Sequence, residues 1–265
     1  MKIFISADIE GVAGVSDWNA ATLNNPEYKE ACSLMTGEVV AACNGAIEAG
    51  FKEIYIKDAH GSGRNIIPSQ LPVEAVLIRG WSGHPYHMMQ EIDDTFHASI
   101  LIGYHSAAGT IGNPLAHTFR GNIAKIVLNN RIASEFQINS LTSYLVNVPV
   151  AFISGDELIC REAKFFNDNI ETEIISRGNG ASSICLSPVQ ACRKIENGVF
   201  RALSKDLNNN LRPLPRLFKT EIKFNDPVSA YKASFYPGIK MTDDNSICFE
   251  TDDYFEFLRT LKFIK

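Results

Sequence analysis

Asp8, Glu10, His60, His105 and Glu135 are metal-type side chains, and each falls where a strand should end or a helix begin. All six histidines lie between His60 and His117. Open α/β sheets bind their ligands beyond the carboxyl ends of strands, so acids and imidazoles gathered there are raw material for a metal site. Asp8 and Glu10 are two apart, and in extended backbone both side chains face one way. Two such carboxylates repel unless a cation or a proton sits between them. Asp58, two before His60, can accept the second ring N–H that a ligand imidazole usually donates.

Each of these residues also has an ordinary explanation. Acids are common in solvated loops after strands, and a lone histidine after a strand usually serves structure. A glutamate at a helix start favours the helix dipole by about 0.3–1 kcal/mol. The argument therefore rests on the set. Asp8, Glu10 and Glu135 supply three negative charges, which two divalent cations and one hydroxide would neutralise, with Asp8 at a rigid strand end as the bridge. Nitrogen and oxygen donors without thiolate suit zinc, while manganese and cobalt accept the same set. His117 lies instead in the glycine-rich stretch Gly109 to Gly121, free to approach a substrate. His84, His87 and His97 read as surface or packing residues.

Other chemistries find less support. Gly11-x-x-Gly14 lacks the full dinucleotide pattern, and Asp8 and Glu10 would face a pyrophosphate with negative charge. There is no G-x-S-x-G elbow and no H-E-x-x-H helix.

The elements that must hold these residues alternate between strand and helix. Lys2 to Ala7 predicts a first strand, Glu27 to Ala49 an amphipathic helix stopped by Gly50, and Glu53 to Lys57 a second strand. Val73 to Ile78 and Ala98 to Gly103 follow as strands. Asn129-Asn130 joins a hairpin, and Ser134 caps a helix running to about Leu145. Val148 to Ile153, Asp156 to Phe166 and Ile170 to Ile175 continue as strand, helix and strand, and Ser187-Pro188 opens a helix to about Leu207. Such alternation predicts an αβα sandwich with a mostly parallel central sheet. The stretch Asn208 to Pro215 is the best linker. It divides a catalytic core, 1–207, from a smaller C-terminal α+β portion, 208–265, expected to pack on the core as one unit.

With 265 residues, 45% hydrophobic, the chain can bury a full core. A net charge of −5 with scattered basic residues argues against a nucleic-acid partner. No segment is long and apolar enough to span a bilayer, and Asp8 interrupts the first apolar run too early for an export signal. Those features predict a cytoplasmic protein without membrane partners. The six cysteines form no C-x-x-C pair and read as reduced thiols.

Several motifs, in order, resemble the DppA-type zinc-dependent D-aminopeptidases. They are S-A-D-I-E-G at Ser6 to Gly11, K-D-A-H at Lys57 to His60 and D-D-T-F at Asp93 to Phe96. I-G-Y-H at Ile102 to His105, A-H-T at Ala116 to Thr118 and L-N-N-R-I-A-S-E at Leu128 to Glu135 complete them, and C-L-S-P at Cys185 to Pro188 matches more weakly. The resemblance implies two zinc ions per subunit, bridged by Asp8 and ligated by Glu10, His60, His105 and Glu135, with His117 catalytic. It also implies release of N-terminal D-amino acids from short peptides by a ring-shaped homo-oligomer, a decamer of stacked pentamers. The loop from His105 to His117 is a residue longer than the family pattern. The residues themselves leave two alternatives open: a binuclear hydrolase of another amide or a phosphoester, with Lys57, Arg64 and Arg120 as nearby cations, or a non-catalytic assembly protein that keeps metal for structure.

Overall fold

The computed structural model describes residues 1–265, and its architecture follows from which strands are apolar on both faces. β1 (Lys2–Ala7) is buried beyond its first residue and pairs in parallel with β2 (Glu53–Asp58), reached through α1 (Trp18–Ala21) and α2 (Tyr28–Glu48). β3 (Ala75–Ile78) adds outside β2, and β4 (Ala98–Tyr104), wholly buried, pairs with the other side of β1. A hairpin of β5 (Ile123–Leu128) and β6 (Arg131–Ile132) then leads to α3 (Glu135–Leu145). Next come β7 (Val150–Asp156), α4 (Glu157–Phe166), β8 (Glu171–Asn179), β9 (Ser182–Cys185) and α5 (Pro188–Leu203). The seven-stranded sheet runs β3-β2-β1-β4-β7-β8-β9 and is parallel except for its last pair.

Alternation along β1 divides the interior in two. Ile3, Ile5 and Ala7 point into a core shared with α2 and α5, while Phe4 points into a core shared with α3 and α4. The sandwich expected from the strand–helix alternation is therefore present, with one difference. Its second face is also covered by a five-stranded antiparallel sheet, β11-β12-β10-β5-β6. That sheet joins the hairpin to β10 (Phe218–Phe224), β11 (Lys240–Asp243) and β12 (Ser246–Thr251), with α6 (Pro227–Ala233) and α7 (Tyr254–Ile264) packed alongside. β10 alternates strictly between buried and exposed, and Phe218, Ile222 and Phe224 extend the second core.

Element ends follow local chemistry. α2 closes in a Schellman arrangement: Phe51 N–H reaches Ala46 O, Gly50 N–H reaches Ile47 O, and Gly50 takes φ +91°. Ser134 Oγ accepts from Gln137 N and caps α3 as expected. Two elements escaped the sequence reading. α1 is a single turn capped by Asp17, and β9 is short and largely exposed, so neither carries an apolar period. Asn179-Gly180 before β9, with Gly180 at φ +60°, is the turn signal that marks that hairpin. No helix is long and apolar enough to cross a membrane, and all six cysteines are free thiols.

Glu38 on α2 ties the helix to the chain just past β1. It is buried, Oε1 accepts from Ala13 N at 2.9 Å, and burial pushes its carboxyl up to about 8. The folded protein therefore holds a proton that the unfolded chain releases near pH 4.5, and stability contributed by this group falls as pH rises from there to 8. Glu38→Gln is expected to remove that slope, gaining on the wild type by on the order of a few kcal/mol between pH 5 and pH 8. Urea unfolding at both pH values checks this, and parallel pH profiles for the two proteins would contradict it.

Candidate metal centre

Three backbones meet at the carboxyl ends of β1, β2 and β4, and close contact between two of them needs glycine. Asp8 N donates to Ile102 O at 2.8 Å and Gly11 N to Gly103 O at 2.9 Å, so the chain after β1 stays in register with β4. A Cβ on Gly11 would lie 1.9 Å from Tyr104 O, and one on Gly103, at φ +69°, would lie 2.3 Å from Asp8 O. This approach sets Asp8 and Glu10 beside His105. His60 enters from the end of β2, and Glu135 is the first residue of α3.

The three imidazoles are oriented by one device. His60 donates Nε2–H to Ala21 O at 2.7 Å, His105 donates Nδ1–H to Ser106 O at 3.0 Å, and His117 donates Nδ1–H to Leu115 O at 3.0 Å. A carbonyl only accepts, so each bond orients the ring and, in its neutral form, leaves the other nitrogen's lone pair for a proton or a cation. Those nitrogens converge on the acids. His60 Nδ1 is 3.0 Å from Glu10 Oε2 and 3.5 Å from Asp8 Oδ1. His105 Nε2 is 3.5 Å from Asp8 Oδ2 and 3.6 Å from Glu135 Oε2. His117 Nε2 is 3.9 Å from Glu10 Oε1 and 3.8 Å from Glu135 Oε1.

The expected outer partner of His60 is corrected here. The Asp58 carboxylate accepts from Asn65 N, Asn65 Nδ2 and Ile66 N, bracing the loop after His60, and the carbonyl of Ala21 takes the ring proton. α1, unexpected from sequence, thus supplies the orienting group through its last residue.

Electrostatics follow from burial. Asp8, Glu10, His105 and Glu135 are each no more than 4% exposed. Burial alone would push Glu10 and Glu135 up, but the neighbouring imidazoles hold both below the usual carboxylate range. Burial would push His60 and His105 down, yet the carboxylates hold both well above the usual histidine value. The cluster attracts positive charge strongly. Both Glu10 oxygens and His105 Nε2 are nevertheless buried without any hydrogen-bond partner. Orphaned buried acceptors of this kind are costly unless something else satisfies them, and a cation does. Donor atoms of Asp8, Glu10 and His60 lie mutually within 4.8 Å, as do those of Asp8, His105 and Glu135, and those of Glu10, His105 and His117. Asp8 belongs to two of the three groups.

All six residues singled out in the sequence are therefore brought together, and a cavity of ≈ 410 Å³ opens onto five of them. His117 lies at its side, its ring stacked on His105 at 4.4 Å and edge-on to Trp18 at 5.3 Å. Arg120, one of the three cations expected near the site, also lines it, as do Trp18, Trp81 and Lys262, which no spacing in the sequence marks. His87, read as a surface or packing residue, lines the cavity as well and takes φ +56°. Lys57 turns away: its Nζ donates to Asp58 O and Gly80 O, and lies over the Trp81 ring. Arg64 is exposed and outside the cavity wall.

The family model described as D-aminopeptidase matches residues 1–263. The chain belongs to that family. Membership makes it a metallo-aminopeptidase by class, and the donor cluster lies where such chemistry needs it. A D-aminopeptidase of Bacillus subtilis (strain 168) is 29% identical over 259 residues, covering 97% of this chain and 93% of its own. A solved structure, described as the Zn-dependent D-aminopeptidase DppA from Bacillus subtilis, a self-compartmentalizing protease, superposes with a TM-score of 0.92 at 25% identity. That match covers 100% of this chain and 96% of the other, so the family fold extends through β12 and α7.

Gly103 is the backbone contact on which this convergence depends. Gly103→Ala is expected to lower stability by about 2–4 kcal/mol, combining a positive φ with a backbone clash. Gly180→Ala, at φ +60° in open space, should cost only about 1 kcal/mol. Equal losses in urea unfolding would show that the β1–β4 contact carries no special constraint.

Proposed function

We propose that the cluster holds two zinc ions and hydrolyses the N-terminal peptide bond of short peptides that begin with a D-amino acid. The observation that carries this reading is that two ligand groups share Asp8 while Glu10 and His105 keep buried donor atoms unsatisfied. Asp8 would serve both ions, Glu10 and His60 completing one site and His105 and Glu135 the other. Nitrogen and oxygen donors without thiolate suit zinc, and the Zn-dependent structural relative supports that choice over manganese or cobalt. Two cations held there would polarise the scissile carbonyl and ease ionisation of the attacking water.

The chain's own residues supply the rest. His117 is fixed through Nδ1 and offers Nε2 between Glu10 and Glu135, able to take a proton as water attacks and return it to the leaving amine. Stacking on His105 and the edge of Trp18 hold the ring in place without removing that lone pair. The wall of acids also favours the peptide's ammonium end, which suits an aminopeptidase. Preference for the D enantiomer comes to this chain from its D-aminopeptidase relatives, and the self-compartmentalizing relative supports a homo-oligomer. The ring-shaped decamer and the cytoplasmic location are proposed from the motif resemblance.

Purified protein should contain two zinc ions per subunit and cleave D-alanyl dipeptides in preference to L-alanyl ones. Turnover of L-peptides alone, or of phosphoesters without peptides, would overturn the proposal. His117→Ala is expected to lower kcat by about 10²–10⁴-fold while metal content stays unchanged. Undiminished turnover would remove His117 from the chemistry. Asp8→Asn should cut metal content sharply in elemental analysis, and unchanged stoichiometry would rule out sharing through Asp8.

A further inference from the structure

The cavity has a second pole. Besides the acid and imidazole donors, its wall carries Arg120 and Lys262, and neither forms an ion pair, since every salt bridge of a lysine or arginine lies elsewhere. Lys265 stands close by, its Nζ bonded to His87 Nε2 and over the Phe119 ring, again with no carboxylate partner. Burial first, and then the charges of Lys262 and Arg120, hold His87 and Lys265 toward their neutral forms, so the positive charge of this pole belongs to Arg120 and Lys262. His87 Nδ1 is buried there without a partner.

Arg120 is also placed with care. Arg120 N donates to Thr118 O at 2.7 Å across Phe119, which takes φ +62°, a tight three-residue turn that a bulky side chain rarely adopts. Phe119 N donates to Glu135 Oε1 at 2.6 Å, so the turn carrying Arg120 is tied to one of the central carboxylates, with His117 three residues before it. Arg120 is exposed and Lys262 half-buried, both line the cavity, and an anion entering it would meet charge-assisted donors that no carboxylate already occupies.

A peptide bound for removal of its first residue presents its amino end to the acids and, if short, its own carboxylate within reach of this second pole. An extended residue spans about 3.5 Å, and a cavity of ≈ 410 Å³ is roughly 9 Å across if treated as a sphere, which matches two or three residues. We propose that Arg120, assisted by Lys262, receives the C-terminal carboxylate of the substrate, so that the site takes di- and tripeptides with a free α-carboxyl group and discriminates against C-terminally blocked ones. This rests on the aminopeptidase reading above. Guanidinium is suited to the task because its fork can grip a carboxylate through two parallel N–H bonds.

The test compares D-alanyl-D-alanine, its C-terminal amide, and D-alanyl-D-glutamic acid α-amide on the zinc-loaded enzyme, Arg120→Gln and Lys262→Gln. The wild type is expected to prefer the free acid over the amide by about 10–100-fold in kcat/KM, carried by KM, as a charge-assisted hydrogen-bonded contact predicts. Arg120→Gln should erase that preference by raising KM for the acid while KM for the amide and the metal content hold; Lys262→Gln should do the same more weakly. Equal KM for acid and amide in the wild type would overturn the proposal, as would a proportional loss on both substrates in Arg120→Gln. Turnover of the glutamic amide at the rate of the free acid would overturn it too, by assigning the pole to a side-chain carboxylate. If no peptide is cleaved, the aminopeptidase reading fails by itself. Calorimetric titration of the acid and the amide into zinc-loaded protein then decides: tighter acid binding, lost in Arg120→Gln, retains the carboxylate site, and equal or absent binding ends it.

Discussion

Three carboxylates are buried at one point, within reach of one another's charge, and the arrangement holds only while positive charge lies among them. Like charges removed from water repel far more strongly than at a surface, and desolvation penalises each acid separately. Here Glu10 and Glu135 stay ionised because imidazoles crowd against them, and His60 and His105 are held toward their protonated forms by the same contact. Protons and any cation bound here would therefore compete for one set of lone pairs. A site of this kind is suited to cations because both Glu10 oxygens and His105 Nε2 are buried there with no hydrogen-bond partner.

The scaffold meets that demand with backbone rather than with further side chains. Glycine at Gly11 and Gly103 lets β1 and β4 close on each other, and three separate carbonyls each take one imidazole proton. Carbonyls do not titrate, so the ring orientations are insensitive to pH even though the rings themselves ionise. Asp58 serves at one remove by holding Asn65 and Ile66, which fixes the loop that delivers His60.

Much of this was readable from sequence because it depends on local period and residue type. The runs ending at Ala7 and Tyr104 are buried on both faces and the run ending at Asp58 nearly so, and a ligand at the tip of a buried parallel strand lies at the sheet's carboxyl edge. Ser134 and Asn129-Asn130 identified the helix and hairpin around Glu135 for similarly local reasons. What could not be read depends on contacts distant along the chain. The role of Ala21 O hangs on a single-turn helix with no apolar period, and Asp58 was given a partner that sequence proximity alone suggested. His87 and Lys262 reach the cavity from segments nearly two hundred residues apart, and no spacing rule links them. The pairing of β5 with β10 is equally remote, because antiparallel partners in separate halves of a chain leave no mark in either strand.

That pairing bears on when during its synthesis the protein becomes competent. The hairpin that leads into Glu135 is the edge of a sheet whose other three strands are translated some ninety residues later, and α7, which brings Lys262 to the cavity, emerges last. A chain that has reached only Asp8, His60 and His105 still lacks the strands that pair with the hairpin before Glu135 and the Lys262 wall of the cavity. The cavity wall is thus complete only once the later strands and α7 have folded back onto the middle of the chain.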